Sequence, residues 1–236
     1  LSPERHPASV LPHTLPGTKT IEEELAMAVH VLLVEDHALV REGLKTLLES
    51  KGFKVVAEAS DGQEALRLAR GIKIDIAVLD IGMPLLNGID AARELQKPPL
   101  KIRTILLTRH EEESFIAAAL AAGVKGYILK RQVVNDLVQA IQRVNQGGTY
   151  LSPGISQAVV EAYLAKGTQP KDVLTSRERQ VLQLIGEGKS TKEIAGVLGI
   201  GAKTAETHRS RLMQKLDIHE TASLVRYGVR CGLVQP

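Results

Sequence analysis

The chain predicts a doubly wound α/β domain on a five-stranded parallel sheet, followed by a second, all-α domain of four helices that carries a helix-turn-helix. Three observations carry this. Between His30 and Gln146, five short β-branched runs alternate with five stretches of helical period. Parallel strands need helix-length crossovers, so strict alternation points to a parallel sheet covered on both faces. Beyond residue 172 strand signals stop, and only helical periods, helix caps and glycine turns remain. The net charge of +3 is also unevenly spread: residues 151–236 hold 12 basic and 8 acidic side chains, against 16 and 15 in residues 29–150. Only the last third carries the excess expected of a surface that meets a polyanion.

In order, the strands are expected at Val31–Val34, Phe53–Ala57, Ile74–Leu79, Ile102–Leu107 and Gly126–Leu129. The helices that alternate with them span Leu39–Ser50, Gly62–Arg70, Gly88–Gln96, Glu112–Ala122 and Val133–Gln146. Four prolines and the acids Glu22, Glu23 and Glu24 make residues 1–28 a disordered or weakly helical extension. The α/β domain occupies residues 29–147. Residues 148–172, with Pro153, Gly154, Gly167 and Pro170 around a short helix candidate at Ile155–Leu164, read as a linker. The helical domain takes residues 173–236.

Composition excludes several function classes. No apolar run approaches the roughly 18–20 residues that cross a bilayer, and no signal peptide is recognisable, so a cytoplasmic protein without membrane contact is expected. The single cysteine, Cys231, forms no intramolecular disulfide and no multi-cysteine zinc site. With no Trp, 4 Tyr and 2 Phe, the core is built from aliphatic residues and no aromatic platform is available for stacking bases.

In a doubly wound sheet ligands bind beyond the C-terminal strand ends. Glu35 and Asp36 follow the first strand, Asp80 the third, Thr108 the fourth and Lys130 the fifth. Four strands thus deliver three acids, a hydroxyl and a lysine to one edge. Carboxylates about 4 Å apart repel by about 4 kcal/mol at an effective dielectric near 20, so the cluster calls for a cation. A hard divalent ion with oxygen ligands, Mg²⁺ (magnesium), suits it.

The blocks VLLVEDHALVREGL, AVLDIGMPLLNGIDAAREL, ILLT and GYILK resemble the receiver domain of bacterial response regulators, whose fold is flavodoxin-like. The resemblance implies that Asp36 and Asp80 bind the metal directly, Glu35 through water, and Gly82 through its carbonyl. It makes Asp80 the acceptor of a phosphoryl group from a sensor histidine kinase, with Lys130 neutralising one phosphoryl oxygen and the Thr108 hydroxyl donating to another. Enzyme-like behaviour is then limited to assisting self-phosphorylation and autodephosphorylation. It also makes Thr108 and Tyr127 the switch pair. Two residues depart from the pattern: Gly82 where Asn is frequent, and Arg109 where a small residue usually leaves a path to the aspartate. Pro84 is expected to shape the loop after Asp80 through a cis bond or a tight turn.

In the last third, Thr175-x-x-Glu178 and Ser190-x-x-Glu193 each spell a capping box. Helices are expected from Thr175 to the Gly186–Gly188 region, from Ser190 to Gly199, over Lys203–Leu216 and over Glu220–Arg230. Two short helices joined by a glycine turn and followed by a basic one suggest a helix-turn-helix. The string LTSRERQVLQLIGEGKSTKEIAGVLGIGAKTAETHRSRLMQKL closely resembles the LuxR/NarL-type DNA-binding domain. The resemblance implies that Lys203–Leu216 reads the major groove of double-stranded promoter DNA. On that helix Glu206, Thr207 and Ser210, beside Arg209, are the candidates for base edges. Lys192, Lys203, Thr204, Arg211 and Lys215 are the candidates for phosphates. Gly201 stands where a capping Ser is frequent, and Ala205 where Val is usual. The last helix resembles a dimerisation segment, which implies a homodimer on activation.

Together these imply a phosphorylation-controlled transcriptional regulator. Two alternatives are open on the residues. An aspartate-nucleophile phosphatase calls for a second carboxylate two residues after the nucleophile, where Gly82 stands. A phosphorylation-independent DNA-binding regulator with a degenerate receiver is favoured by Arg109 and disfavoured by the complete set of acids, Thr and Lys.

Overall fold

A computed structural model describes residues 28–109, 113–155, 174–231 and 233–234. The extension before residue 28, and the linker helix candidate beyond Ile155, lie outside the described residues. The first part alternates β1 (His30–Val34), α1 (Ala38–Ser50), β2 (Lys54–Ala59), α2 (Gly62–Ala69), β3 (Ile76–Asp80), α3 (Gly88–Leu95), β4 (Arg103–Thr108), α4 (Glu113–Ala121), β5 (Gly126–Leu129) and α5 (Val133–Asn145). The sheet is parallel throughout, in the order β2-β1-β3-β4-β5-β6, where β6 is Tyr150–Leu151.

Side-chain alternation divides the core in two. Val31, Leu33, Ile76, Val78, Ile105, Leu107 and Ile128 face α1 and α5 through Leu44, Leu48, Leu137 and Ile141. Leu32, Val34, Ala77, Leu79, Leu106, Tyr127 and Leu129 face α2, α3 and α4 through Ala65, Ile89, Leu95, Phe115 and Ile116. With both faces covered, every residue of β3 is buried. Asp61 caps α2 by accepting from the Gln63 and Glu64 amides, and Asn87 caps α3 by accepting from the Asp90 amide.

One expectation is corrected and one open alternative is decided. The sheet has six strands, because β6 (Tyr150–Leu151) pairs in parallel with β5 inside residues expected to be linker. Two residues carry no periodicity, and their partner lies more than twenty positions away, so the pairing left no local signal. Its cause is the edge of β5, whose groups need partners. The Tyr150 amide donates to the Lys125 carbonyl at 2.9 Å and the Ser152 amide to the Tyr127 carbonyl at 3.0 Å. The buried Ser152 hydroxyl accepts from the Leu129 amide and donates to Asp136, and Ile155 closes the segment inside the core. Secondly, among the described residues the cis peptide bond is Pro98–Pro99. The loop after Asp80 takes the tight-turn alternative, with Leu85 at φ 65 and the Leu86 amide on the Pro84 carbonyl at 2.7 Å.

The second part holds α6 (Ser176–Gly186), α7 (Thr191–Leu198), α8 (Ala202–Leu216) and α9 (Thr221–Arg230). Both capping boxes form, on Thr175 with Glu178 and on Ser190 with Glu193. Gly199 closes α7 at φ 62, a left-handed position that favours glycine. Val181, Leu182, Ile185, Ile194, Ala205, Leu212 and Leu224 make the core between the helices. Gly201 stands before α8 without a side-chain cap. Among the described residues no helix is long and apolar enough to cross a membrane.

At the start of the sheet, Asp75 accepts from the His30 amide at 2.8 Å and lies 2.9 Å from its ring Nδ1. Burial raises the Asp75 carboxyl, but these bonds outweigh it and hold the group below its ordinary value of 3.8. A depressed carboxyl stabilises the fold above its unfolded pKa, and the contribution is lost as pH falls through the folded value. Asp75→Ala is therefore expected to lower the urea midpoint at neutral pH by the equivalent of about 1–2 kcal/mol. Urea titrations at successively lower pH should show the gap to wild type closing on the acid side of the carboxylate range.

Candidate functional site

Strand register assembles the acid cluster. Val34 pairs with Leu79, so Glu35 and Asp80 stand side by side where β1 and β3 end. Asp80 pairs with Leu107, which puts Thr108 one step further along β4, and Thr108 pairs with Leu129, which puts Lys130 just past β5. Lys130 Nζ lies 2.8 Å from Glu35 Oε2 and 2.9 Å from Asp80 Oδ2. Glu35, Asp80 and Thr108 are all buried. Burial pushes the Glu35 carboxyl up; the Lys130 hydrogen bond opposes this and the Asp80 charge reinforces it.

Asp36 is more open, with its Oδ1 2.8 Å from His37 Nδ1. Glu35, Asp36 and His37 each offer a ligand atom, and these lie within 4.8 Å of one another. Asp36, Gly82, Met83 and Asn87 line a cavity of about 260 Å³ beside the cluster. A carboxylate-rich set with one lysine among the acids suits a hard cation with oxygen ligands. Tyr127 is already turned into the core between the sheet and α2–α4, while Arg109, next to Thr108, is exposed. The five strand-end residues named from the sequence thus come to one edge.

On α8, the side chains of Lys203, Thr204, Glu206, Thr207, Ser210 and Arg211 are exposed, as is Lys192 on α7. Three of the named residues have intramolecular partners: the Thr207 hydroxyl donates to the Lys203 carbonyl at 2.9 Å, and Lys215 and Arg209 bond to other helices. Lys215 Nζ lies 2.7 Å from the buried Glu178 Oε2, so a phosphate has to compete for it. Arg209 donates to the hydroxyls of Thr191 and Thr221, tying α8 to the starts of α7 and α9. Ala205 is buried at the α8 contact with the other helices.

Sequence reasoning missed a polar seam between the two parts. Arg179 Nε donates to Asp90 Oδ1 at 2.7 Å, and Gln183 Oε1 accepts from the Asn87 amide at 2.9 Å. Gln183 Nε2 donates to the Met83 carbonyl at 3.0 Å, and Glu187 Oε1 accepts from the Leu85 amide at 3.0 Å. The available signal was the spacing of four between Arg179, Gln183 and the helix-capping Glu187, which reads equally well as a solvated helix face.

A sheet of this order with acids, a hydroxyl and a lysine at its C-terminal edge, joined to a helix-turn-helix, defines a class: a phosphoryl-receiving signalling domain coupled to a DNA-binding one. Comparison with known proteins agrees. The family described as "Response regulator receiver domain" matches residues 31–142, and "Bacterial regulatory proteins, luxR family" matches residues 172–228. The transcriptional regulatory protein MctR of Rhizobium johnstonii is 40% identical over 207 residues, covering 87% of this chain and 95% of MctR. The response regulator UvrY of Escherichia coli strain K12 is 35% identical over 208 residues, covering 87% and 95%. A crystal structure of a LuxR-family response regulator from Aurantimonas sp. SI85-9A1 superposes with a TM-score of 0.55 at 38% identity, covering 58% of this chain and 99% of that one. The chain belongs to the LuxR family of two-component response regulators. It is a phosphorylation-controlled, DNA-binding transcription regulator and not a classical enzyme.

Proposed function

We propose that Asp80 is the phosphoacceptor and that its phosphorylation drives dimeric promoter binding by α8. The observation that carries this is the Lys130 ammonium held between Asp80 and Glu35 at the ends of three strands. In the transfer an Asp80 carboxylate oxygen attacks phosphorus. The new P–O bond forms as the P–N bond of a sensor kinase's phosphohistidine breaks, and the ring nitrogen leaves with the electron pair. Lys130 then neutralises one phosphoryl oxygen as a compact point charge, and the Thr108 hydroxyl donates to another. Asp36 and Asp80 would hold a magnesium ion directly, with Glu35 acting through water and Gly82 through its carbonyl. When bound, the ion supplies charge neutralisation between the attacking carboxylate and the phosphoryl oxygens. The same residues would assist hydrolysis of the aspartyl phosphate. Arg109, exposed next to Thr108, would act as a cation that steers anionic donors.

Thr108 and Tyr127 carry the conformational response: they sit on the adjacent strands β4 and β5, with Tyr127 opposite Leu106, two positions before Thr108. The protein acts in the cytoplasm, where a kinase and promoter DNA are both within reach. Base edges are read by Glu206, Thr207, Arg209 and Ser210, and phosphates are met by Lys192, Lys203, Thr204, Arg211 and Lys215. The deciding experiment incubates wild type and Asp80→Asn with Mg²⁺ and acetyl phosphate and records intact mass. Wild type should gain one phosphoryl group and Asp80→Asn none; equal gain in both would overturn the assignment.

A further inference from the structure

His37 directly follows the two acids at the end of β1, and its side chain has no part in the transfer to Asp80. It stands at the N-cap of α1 but makes no side-chain cap there. Its ring turns instead to the acids before it: Nδ1 lies 2.8 Å from Asp36 Oδ1 and 3.3 Å from Glu35 Oε1. Glu35 is itself fixed from several sides. Its Oε2 lies 2.8 Å from Lys130 Nζ, its Oε1 accepts from the His37 amide at 3.4 Å, and its carbonyl accepts from Arg41 Nη1 at 2.6 Å.

Two features distinguish this set from a surface ion pair. Bonds from a metal ion to imidazole nitrogen and carboxylate oxygen are about 2.0–2.2 Å, which puts neighbouring ligand atoms about 3.0 Å apart in octahedral and about 3.4 Å apart in tetrahedral coordination. The two distances from His37 Nδ1 lie close to those edges, so an ion enters with little rearrangement. The set also runs from the interior to solvent, because the Glu35 side chain is buried, Asp36 is 26% exposed and His37 is 62% exposed. An ion there has an entry path and room for water ligands.

We propose that His37 adds a nitrogen ligand to the acid cluster, so that Glu35, Asp36 and His37 take a divalent transition ion of the Zn²⁺ class. The inference rests on the acid cluster being a divalent-cation site, and it does not need Asp80 to be the acceptor. Imidazole suits Zn²⁺ and its neighbours, whereas Mg²⁺ keeps to oxygen ligands. The ion takes the place of the proton through which Nδ1 bonds to the carboxylates, and that proton leaves to solvent. Asp36 is common to this set and to the magnesium set of Asp36, Asp80 and Gly82. The two ions therefore compete for it, and Zn²⁺ weakens Mg²⁺ by the same factor as Mg²⁺ weakens Zn²⁺. His37 thereby sets which ions the cluster accepts.

The test uses the untagged full chain as wild type, His37→Ala and Asp80→Asn. Calorimetry measures Zn²⁺ and Mg²⁺ binding, each alone, and Mg²⁺ again with Zn²⁺ present. Proton NMR of the Co²⁺-loaded proteins looks for a hyperfine-shifted, exchangeable imidazole N–H, the signature of a ring bound to the metal. Wild type should bind Zn²⁺ about 10-fold tighter or more than His37→Ala and show one such signal that His37→Ala lacks. Mg²⁺ affinity should differ by less than about 2-fold between the two, and Zn²⁺ should weaken Mg²⁺ binding in wild type alone. Asp80→Asn should keep the Co²⁺ signal, because this ligand set does not include Asp80. Equal Zn²⁺ affinity in wild type and His37→Ala, or the same Co²⁺ signals in both, would overturn the nitrogen ligand. Equal losses of Zn²⁺ and Mg²⁺ in His37→Ala would overturn it too, leaving the ring only to orient Asp36. Mg²⁺ that fails to bind wild type while the Co²⁺ signal is present would support the ligand set and overturn the magnesium assignment alone. Absence of any divalent binding would overturn both.

Discussion

Gly88→Ala is expected to cost about 3 kcal/mol or more and to leave little receiver folded under mild denaturant. A Cβ on Gly88 would stand 2.0 Å from the Asp80 carbonyl oxygen, 2.8 Å from its carbonyl carbon and 3.0 Å from Ile81 Cα. These atoms are the backbone of the last residue of β3 and of the residue after it, so no side-chain rotation relieves the clash. Overpacking of a well-filled site costs about 1–3 kcal/mol when neighbours can yield, and more when they cannot. Gly43→Ala is the control: nothing lies within 4 Å of its Cβ on α1, and the change should be neutral or stabilising by up to about 1 kcal/mol. Equilibrium urea unfolding of the two variants checks both, and a Gly88→Ala protein as stable as wild type would contradict the packing described for this loop.

Lys130→Met should slow phosphorylation of Asp80 by acetyl phosphate by about 10²–10³-fold, the usual cost of one preorganised donor to developing negative charge. The cause is positional. Lys130 is already set 2.9 Å from Asp80 before any phosphoryl group arrives, so little reorganisation is needed during transfer. Lys130→Arg should recover only part of the rate, because a planar fork does not replace a compact charge between two carboxylates. Intact-mass time courses at a fixed donor concentration measure both. A Lys130→Met rate within a few-fold of wild type would remove the lysine from the transfer step.

Much of the fold was legible because β-strand and helix periods are local. Val31–Val34 and Gly126–Leu129 announce themselves as strands, and the boxes at Thr175 and Ser190 announce helix starts. The strand-end residues were legible for a related reason. Once the sheet is parallel and doubly wound, Glu35, Asp80, Thr108 and Lys130 can only gather at one edge. What stayed hidden depends on partners far along the chain. Tyr150 and Leu151 join the sheet through β5, and nothing within their own window says so. Arg179 and Gln183 look like a solvated helix face until Asp90 and Asn87, roughly a hundred positions earlier, are brought against them. The Lys215–Glu178 ion pair stayed hidden because it crosses between two helices.

The sixth strand also decides where this protein can be cut. A receiver excised after residue 147, where composition suggests a boundary, would present β5 as a bare edge with the Leu129 amide stripped of Ser152 and a hollow where Ile155 sat. Such a fragment would offer its unpaired edge to its neighbours and self-associate for reasons unrelated to signalling. Excision after Ile155 keeps the edge covered, so the monomeric receiver is the longer piece.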